Sequence, residues 1–278
     1  MKKILVYHLF VDDTFKDNIS YNLHKECLQM YGDVFDEMTF VIRVNDMNRK
    51  DIIETATNWV LEVSGDKPLT IKIKENHPWF EVQTFKEEIL ENVDTLRDYV
   101  FFAHNKGALR MDGRDNYTKT DPESVLRWIF GLYYFSLNFM NEVEDRFSGH
   151  VRASEMFYGP FLTQYRDPSV SPMLRYNKNN CFYQGTFYWI NMPKFSNYIK
   201  QGLITLPEVD DRYWVEMLPG VVCGRELFGD GLASHKDKAI LDDFNLYKMN
   251  EEQWRWMTGE VLGEPDFVDI YNSLNFRK

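Results

Sequence analysis

A short polar segment directly after an apolar run offers the first chemistry in this sequence. In DYVFFAHNKGALR, residues 98–110, four apolar residues are followed at once by His104, Asn105, Lys106 and Gly107. Lysine supplies a mobile positive charge, asparagine and histidine supply hydrogen bonds, and glycine lets the backbone approach a ligand. Such a group can hold a diphosphate and stabilise the charge that builds on it as a leaving group. The same residues are also compatible with an ordinary polar loop.

A glycine inside an aromatic run marks a second segment of interest. In YQGTFYWIN, residues 183–191, Gly185 indicates close approach by a ligand or by another backbone. Strand alternation predicts that Tyr183 and Trp189 share one face and that Tyr188 lies on the other. One face then fits the core and the other a platform for a sugar, with a strand buried on both faces as the alternative.

A third segment, DDRYWVEML at residues 210–218, predicts a helix that carries a candidate base. Arg212 and Glu216 are four residues apart and share a helix face. A carboxylate beside aromatic residues is a plausible general base for a hydroxyl. An N-capped surface helix with an ordinary ion pair is the alternative.

A glycine-rich loop, GDGLASHKDK at residues 229–238, contains the remaining candidate. His235 and Lys236 are suited to a phosphate or a metal ion, although a solvated loop histidine explains the pattern equally well.

Strand and helix patterns alternate along the first part of the chain and would position these segments. Apolar or alternating runs of strand type are KILVYHLF, DEMTFVIRVN, LTIKIKEN and DYVFFAH. Helical patterns between them lie at about residues 19–30, 51–65 and 79–93. This order predicts an α/β fold with a central mixed, mainly parallel sheet flanked by helices. In such sheets ligands bind beyond the carboxyl ends of the strands, where His104 follows its strand.

The second half of the chain has a looser pattern. Asp121 as N-cap and Pro122 at the first helical position begin one long apolar helix that ends near Ser148. Two strands, ASEMFYG and CFYQGTFYWIN, and helices near residues 194–201, 211–218 and 251–257 follow. No linker divides the chain. We therefore expect one domain over residues 1–278, with a nucleotide-binding half (1–110), an acceptor and donor-sugar half (111–245) and a helical tail (246–278).

Composition narrows the classes of function. The formal net charge of -11 over 278 residues argues against nucleic-acid binding, although a local basic pocket for a phosphate remains compatible with it. The three cysteines lack metal-ligand spacing, which predicts a cytoplasmic protein. Asp12 and Asp13 end the first apolar run, so we expect no signal peptide. No apolar run reaches the length of a membrane span, and peripheral membrane contact and oligomeric state stay open. The aromatic content of 16% suits a site for ring-shaped ligands or an aromatic-rich core.

These segments, in this order, resemble a known family. AHNKG resembles the HxKG segment that follows the fourth strand in this family. QGTFYWIN resembles a later strand of the form Gly-x-Phe-Trp, and RYWVEM resembles a helix that carries an acidic residue. VYHLFVDD resembles the opening strand and its nucleotide-facing loop. The chain is similar, from Lys2 to His235, to glycosyltransferases of the A-type fold, in particular bacterial rhamnan-synthesis (F-type) proteins and related polysaccharide-biosynthesis enzymes.

The resemblance implies a transferase that moves a sugar from a nucleotide-diphosphate donor to a hydroxyl of a glycan acceptor. It implies that Glu216 is the base of a direct displacement and that His104 acts at the diphosphate. The donor-binding residues that it implies lie in every segment described above: His8, Asp12, Asp13, His104, Asn105, Lys106, Gly185, Trp189, Arg212 and His235.

The sequence departs from this family at the metal site. Many A-type enzymes carry an Asp-x-Asp after the fourth strand, and His104-Asn105-Lys106 stands in its place. Asp112 and Asp115 follow shortly after and offer the oxygen ligands that Mg or Mn prefers. Alternatively, Lys106 replaces the charge of the ion. A metal is therefore allowed by the sequence but not required.

Two other classes of function compete with the transferase. A non-catalytic carbohydrate- or nucleotide-binding protein on the same fold would explain the aromatic residues equally well. An α/β hydrolase or phosphatase is disfavoured, because the sequence has no Gly-x-Ser-x-Gly elbow and neither the Walker nor the Rossmann glycine pattern.

Overall fold

The chain folds around a seven-stranded mixed sheet in the computed structural model of the protein. The structure describes residues 1–105, 121–148, 155–164, 181–183, 185–206, 214–223, 232–233 and 246–277. The strands of the described residues are β1 (Lys3–Val11), β2 (Glu37–Val44), β3 (Leu69–Glu75), β4 (Tyr99–His104), β5 (Phe157–Tyr158), β6 (Leu162–Gln164), β7 (Cys181–Tyr183), β8 (Tyr188–Asn191) and β9 (Leu232–Ala233). The large sheet has the order β3-β2-β1-β4-β8-β5-β9.

The first four strands of the chain are parallel and lie side by side. β1 pairs with both β2 and β4, and β2 pairs with β3, all in parallel register. β8 runs antiparallel to its neighbours β4 and β5, and β9 is parallel to β5. The predicted α/β fold with a mixed, mainly parallel sheet is therefore confirmed.

Helices cover both faces of this sheet. They are α1 (Ile19–Met30), α2 (Lys50–Ser64), α3 (Glu81–Phe85, continued by a π-helical segment Lys86–Leu90), α4 (Pro122–Leu137), α5 (Met140–Ser148), α6 (Met192–Lys200), α7 (Trp214–Val222), α8 (Glu251–Trp256) and α9 (Phe267–Ser273). Within the described ranges, no helix is long and apolar enough to cross a membrane. The Asp121 side chain accepts a hydrogen bond from the Glu123 amide, which confirms the predicted N-cap of α4.

Each face of the sheet has its own core. On what we call the α4 face, strand residues such as Tyr7 and Phe101 pack against α1, α2 and α4. On the opposite α3 face, strand residues such as Val6 and Phe102 pack against α3, α6 and α7. Because side chains alternate along a strand, His8 and His104 lie on the α3 face.

The long helix predicted from Asp121 to about Ser148 is two helices. α4 ends at Leu137 and α5 begins at Met140. The carbonyl of Ser136, which an unbroken helix would offer to the amide of Met140, instead accepts a hydrogen bond from Nε1 of Trp189 at 2.9 Å. This tertiary contact explains the break, and the apolar periodicity of the sequence does not show it.

The predicted strand CFYQGTFYWIN is also divided. β7 pairs with β6 in a separate two-stranded sheet, whereas β8 belongs to the large sheet. Gly185 (φ 102°) and Thr186 (φ 51°) lie between them in left-handed backbone, which ends the extended run. Tyr183 consequently packs in the α3-face core and not beside Trp189, so the predicted sharing of one face by these residues is wrong.

Candidate active site

Two histidines from neighbouring strands meet at the carboxyl end of the parallel strands. His8 of β1 and His104 of β4 are paired in register, and their ring centroids are 6.4 Å apart. His8 is 1% exposed and His104 7% exposed. Two imidazoles from distant parts of the sequence therefore share one buried environment beside the edge where open α/β sheets bind ligands.

The ring of His8 is held in a hydrogen-bonded position. Its Nδ1 lies 2.9 Å from Oγ1 of Thr84 on α3. The same Oγ1 accepts a hydrogen bond from Nε of Arg43 at 3.2 Å. Burial, assisted by the charge of Arg43, lowers the pKa of His8 to about 3. His8 is therefore a neutral imidazole at neutral pH.

Arg43 is tied into an ion-pair network that runs from β2 to α3. Its guanidinium lies 2.7 Å from Oε2 of Glu87, and Nζ of Lys74 lies 2.5 Å from the same oxygen. Partial burial opposes ionisation of Glu87, but hydrogen bonds from Lys74 and Gln83 outweigh it, and the pKa of Glu87 is lowered. The negative charge of Glu87 therefore balances Arg43 beneath the His8–Thr84 pair.

Asn105, the residue after β4, binds the backbone of β1. Its Oδ1 accepts from the amide of Phe10 at 2.8 Å, and its Nδ2 donates to the carbonyl of Phe10 at 3.0 Å. The hydroxyl of Tyr21 donates to the same carbonyl at 2.8 Å. The Asn105 amide thus extends the β1–β4 ladder by one pair, and its role in donor binding stays a prediction.

Glu216, the candidate base, lies on the same face of the sheet as the two histidines. It is in the first turn of α7 and 9% exposed. The hydroxyl of Tyr188 on β8 donates to the carbonyl of Val215 at 2.9 Å, which anchors α7 over β8. Burial raises the pKa of Tyr188, and the nearby carboxylates of Glu216 and Glu81 raise it further.

The packing of α3 against α7 brings these carboxylates to one region. Phe85 of α3 lies 6.1 Å from Trp214 of α7 and 5.0 Å from Phe102 of β4, measured between ring centroids. Glu81 is one helical turn before Phe85 and shares its side of α3. Glu81 was not among the residues singled out from the sequence, because nothing in the local pattern links it to Tyr188.

Trp189 and Gly185 are engaged with the opposite, α4 face. The Trp189 ring is fully buried, and it lies 5.1 Å from the ring of Phe101. A Cβ on Gly185 would meet the methyl groups of Leu132 at 3.1 Å. The close approach that Gly185 indicates is therefore made by a core side chain of α4, and the roles of both residues in sugar binding stay predictions.

The acidic loop after β1 is held by local contacts. Oδ1 of Asp12 accepts from the amide and the hydroxyl of Thr14, at 3.0 and 2.8 Å. Asp13 is exposed and forms an ion pair at 2.5 Å with Arg49, just before α2. This pair links the loops after β1 and β2 at the carboxyl edge of the sheet.

The remaining predicted residues lie outside the described part of the chain. They are Lys106, Asp112, Asp115, Arg212 and His235. Within the described ranges, no group of three histidine, cysteine, aspartate or glutamate side chains is arranged to hold a metal ion.

Backbone strain marks two residues at this edge that sequence reasoning missed. Phe80, the residue before α3, has φ 46°, and its ring lies 5.9 Å from that of Phe10. Thr186, the residue that follows Gly185, is fully buried, and in the part of the chain that the structure describes its hydroxyl has no hydrogen-bond partner. Left-handed backbone is unfavourable for aromatic and β-branched residues and is concentrated at functional sites. The sequence signal for Phe80 is the aromatic pair Trp79-Phe80, which three residues separate from the end of β3.

Comparison with known proteins gives weak structural likenesses. No protein-family profile and no curated protein matches the chain. The fold is similar to core-mannan synthase A (CmsA/Ktr4) from Aspergillus fumigatus in a Mn/GDP form, at a TM-score of 0.33 and 10% identity over 83% of this chain and 71% of that one. It is also similar to the mannosyltransferase Ktr4p from S. cerevisiae, at a TM-score of 0.31 and 9% identity over 80% of this chain and 62% of that one. At these TM-scores the likenesses carry no argument about what this chain does.

Proposed function

We propose that this protein is a glycosyltransferase that moves a sugar from a nucleotide-diphosphate sugar to a hydroxyl of a glycan acceptor. The observation that supports it most is that His8, His104 and Glu216 lie on the α3 face, the two histidines at the carboxyl ends of parallel strands and Glu216 near Tyr188 of β8. In open α/β sheets this is where ligands bind. Residues 1–110 hold the nucleotide in this proposal, and residues 111–245 hold the sugar and the acceptor, within one domain.

Glu216 is the proposed general base. Its carboxylate takes the proton of the acceptor hydroxyl as that oxygen forms a bond to the anomeric carbon. The bond from that carbon to the diphosphate breaks, and the diphosphate leaves with the electron pair. Because Glu216 is 9% exposed and α7 is anchored by Tyr188, it is held in a largely dry environment where a fixed carboxylate acts efficiently.

His104 and Lys106 are the proposed groups at the leaving diphosphate. An ammonium and an imidazole N–H placed there stabilise the negative charge that develops as the bond between the anomeric carbon and the diphosphate breaks. His8, paired in register with His104, stays neutral because its pKa is about 3. His8 therefore carries no positive charge at neutral pH.

A divalent ion, Mg or Mn, is an optional part of the proposal. Asp112 and Asp115 would supply carboxylate oxygens to it, and the ion would neutralise charge on the diphosphate. The proton transfer assigned to Glu216 does not depend on that ion.

A non-catalytic carbohydrate- or nucleotide-binding protein is the second candidate. It would use the same sheet edge and would differ from the transferase in having no proton transfer at Glu216. In that case the sheet edge would bind a nucleotide without turnover.

Hydrolysis of nucleotide-sugar donors separates these two candidates. We expect slow release of the nucleoside diphosphate from one donor of a UDP- and GDP-sugar panel, lowered roughly 10²–10⁴-fold in Glu216→Gln with donor binding retained. Glu252→Gln, on the exposed side of α8, is the matched control and should keep full turnover. Donor binding without turnover across the whole panel would overturn the transferase in favour of the binding protein.

A further inference from the structure

Among the described strands, β3 lies at one edge of the large sheet. In the described ranges it pairs only with β2, in a regular parallel register from Leu69 to Glu75 without a bulge. An edge strand presents unpaired backbone N–H and C=O groups that can accept another strand.

The register identifies which backbone groups face outward. The carbonyl of Pro68 accepts from the amide of Met38 at 2.9 Å, and the amide of Asn76 donates to the carbonyl of Val44 at 2.8 Å. Backbone groups of alternate residues point to the same side of a strand. The even-numbered residues of β3 therefore bond to β2, and the odd-numbered residues face the open edge, with both the N–H and the C=O group of Leu69, Ile71 and Ile73 and the N–H of Glu75, whose carbonyl accepts from Arg43.

The side chains of the same residues form an apolar row along this edge. Leu69 and Ile71 are partly exposed where they pack on the α4-face core, and Ile73 is 39% exposed. Apolar side chains thus lie beside the unpaired backbone groups. A second strand placed at this edge would cover both.

The lysines on the other side of β3 are paired within their own molecule. Nζ of Lys72 lies 2.6 Å from Glu88, and Nζ of Lys74 lies 2.5 Å from Glu87. Lysines keep sheet edges apart because their charges repel an approaching copy. Here the carboxylates reduce that repulsion.

We propose that β3 pairs antiparallel with β3 of a second copy, around a two-fold axis at Ile71, so that the two sheets join into one. This inference is independent of the proposed function. In this arrangement Ile71 faces Ile71 of the second copy, and Leu69 faces Ile73 of the second copy. Each of these pairs exchanges two backbone hydrogen bonds, and the apolar rows become continuous.

Charge disfavours the registers that are shifted toward the lysines. Centring the axis on Ile71 sets Lys72 opposite Thr70 of the second copy. An axis at Lys72 would place two Lys72 side chains opposite each other, and an axis at Ile73 would oppose Lys72 and Lys74, both of which are unfavourable. A slip by one residue would set the apolar row of one copy against the lysine row of the other.

The mass of the full chain in solution tests the dimer. Sedimentation velocity should give twice the 33.2 kDa of one chain. Ile71→Pro should give a folded monomer by mass and far-UV circular dichroism, because the N–H it removes faces outward and not toward β2. Ile71→Val, the matched control, should stay dimeric. If Ile71→Pro fails to fold, Ile73→Lys should give the folded monomer instead, since the Ile73 side chain is already exposed and a lysine there should not disturb the core.

A cross-link tests the register. Under mild oxidation, Ile71→Cys should form a disulfide-linked dimer on a non-reducing gel, because its two Cα atoms would lie about 5.5 Å apart. Lys72→Cys should remain unlinked. A monomeric wild-type chain at its highest soluble concentration, or a folded Ile71→Pro variant that stays dimeric, would overturn the proposal. Linking of Lys72→Cys in place of Ile71→Cys would overturn the register.

Discussion

His8 and His104 are register partners on neighbouring parallel strands, and their buried rings lie 6.4 Å apart at the carboxyl end of the sheet. His8 is hydrogen-bonded to Thr84 near the positive charge of Arg43. His104 contacts the ring of Phe187 at a centroid distance of 5.9 Å and is followed directly by Asn105 and Lys106. His8 therefore ties α3 to β1, and His104 is the imidazole that we propose lies next to the diphosphate.

The first prediction concerns the pH dependence of stability that His8 creates. Its pKa is about 3 in the folded protein and close to 6.5 when it is exposed. Between these values the unfolded chain binds a proton that the folded chain excludes, so the free energy of unfolding falls as the pH falls through this window. The contribution is roughly 1.4 kcal/mol per pH unit.

His8→Asn should remove this contribution, because the asparagine amide can hydrogen-bond to Thr84 without titrating. Urea unfolding of the wild type and the variant from pH 7 down to about pH 4.5 gives the difference in slope, in which the contributions of other groups cancel. Parallel stability curves for the two proteins would contradict the neutral, buried state of His8.

The second prediction concerns Asn105, whose amide makes two hydrogen bonds to the Phe10 backbone. Asn105→Ala should lower the free energy of unfolding by roughly 2 kcal/mol, since the buried amide of Phe10 loses its partner. The exposed Asn197, which accepts a bond from Gln201, is the matched control, and Asn197→Ala should change stability by less than about 0.5 kcal/mol.

Urea unfolding of both alanine variants and titration with UDP separate the structural role of Asn105 from donor binding. If Asn105→Ala leaves stability unchanged but weakens UDP binding, then the donor-binding role predicted from the sequence is correct and the backbone contact is secondary.

The sequence predicts the first half of the fold well for a physical reason. The strands that became β1 to β4 are short apolar or alternating runs, and the helices between them have clear periodicity and termination signals, such as Gly65 after α2. Each of these signals is local, and the parallel order follows from the alternation of strands and helices. The order of the large sheet beyond β4 has no local signal, because β5, β8 and β9 are short and come from distant segments.

The candidate site was predicted less completely than the fold. The strand ends place His104 correctly at the carboxyl edge, and the apolar run around His8 places it on the neighbouring strand. The sequence does not reveal that Gly185 accommodates Leu132, or that the Trp189 indole binds the carbonyl of Ser136. Such contacts depend on which helix packs on which strand. Residue type alone cannot distinguish a glycine or tryptophan that packs in the core from one that contacts a ligand.

The third prediction tests that distinction at Gly185. Gly185→Ala should destabilise the protein by roughly 2–4 kcal/mol, because its φ of 102° is strained for alanine and the added Cβ meets Leu132 at 3.1 Å. Gly202→Ala is the matched control: its φ is 68°, but no atom lies within 4 Å of the added Cβ. At Gly202 only the cost of left-handed backbone for alanine remains, so the free energy of unfolding should fall by about 1 kcal/mol.

Thermal or urea unfolding of the two variants measures the difference. Equal losses of stability at the two glycines would mean that Leu132 moves aside easily. Weaker donor binding with little loss of stability in Gly185→Ala would instead support the sugar-binding role.

The last prediction addresses Lys106, on which the diphosphate assignment depends most. Lys106→Ala should weaken binding of UDP about tenfold or more, since a hydrogen bond to a charged group contributes roughly 1.5–3 kcal/mol. Binding of uridine should change little, because uridine places no negative charge beside the ammonium.

Lys86→Ala, at an exposed position beyond α3, is the matched control and should leave both affinities unchanged. Calorimetric titration with UDP and uridine at two salt concentrations measures these effects, and the loss for UDP should shrink at the higher one. Equal losses for the two ligands would mean that Lys106 acts through the loop conformation and not through its charge, and the phosphate would then need another cation, with Arg212 the first to replace by alanine.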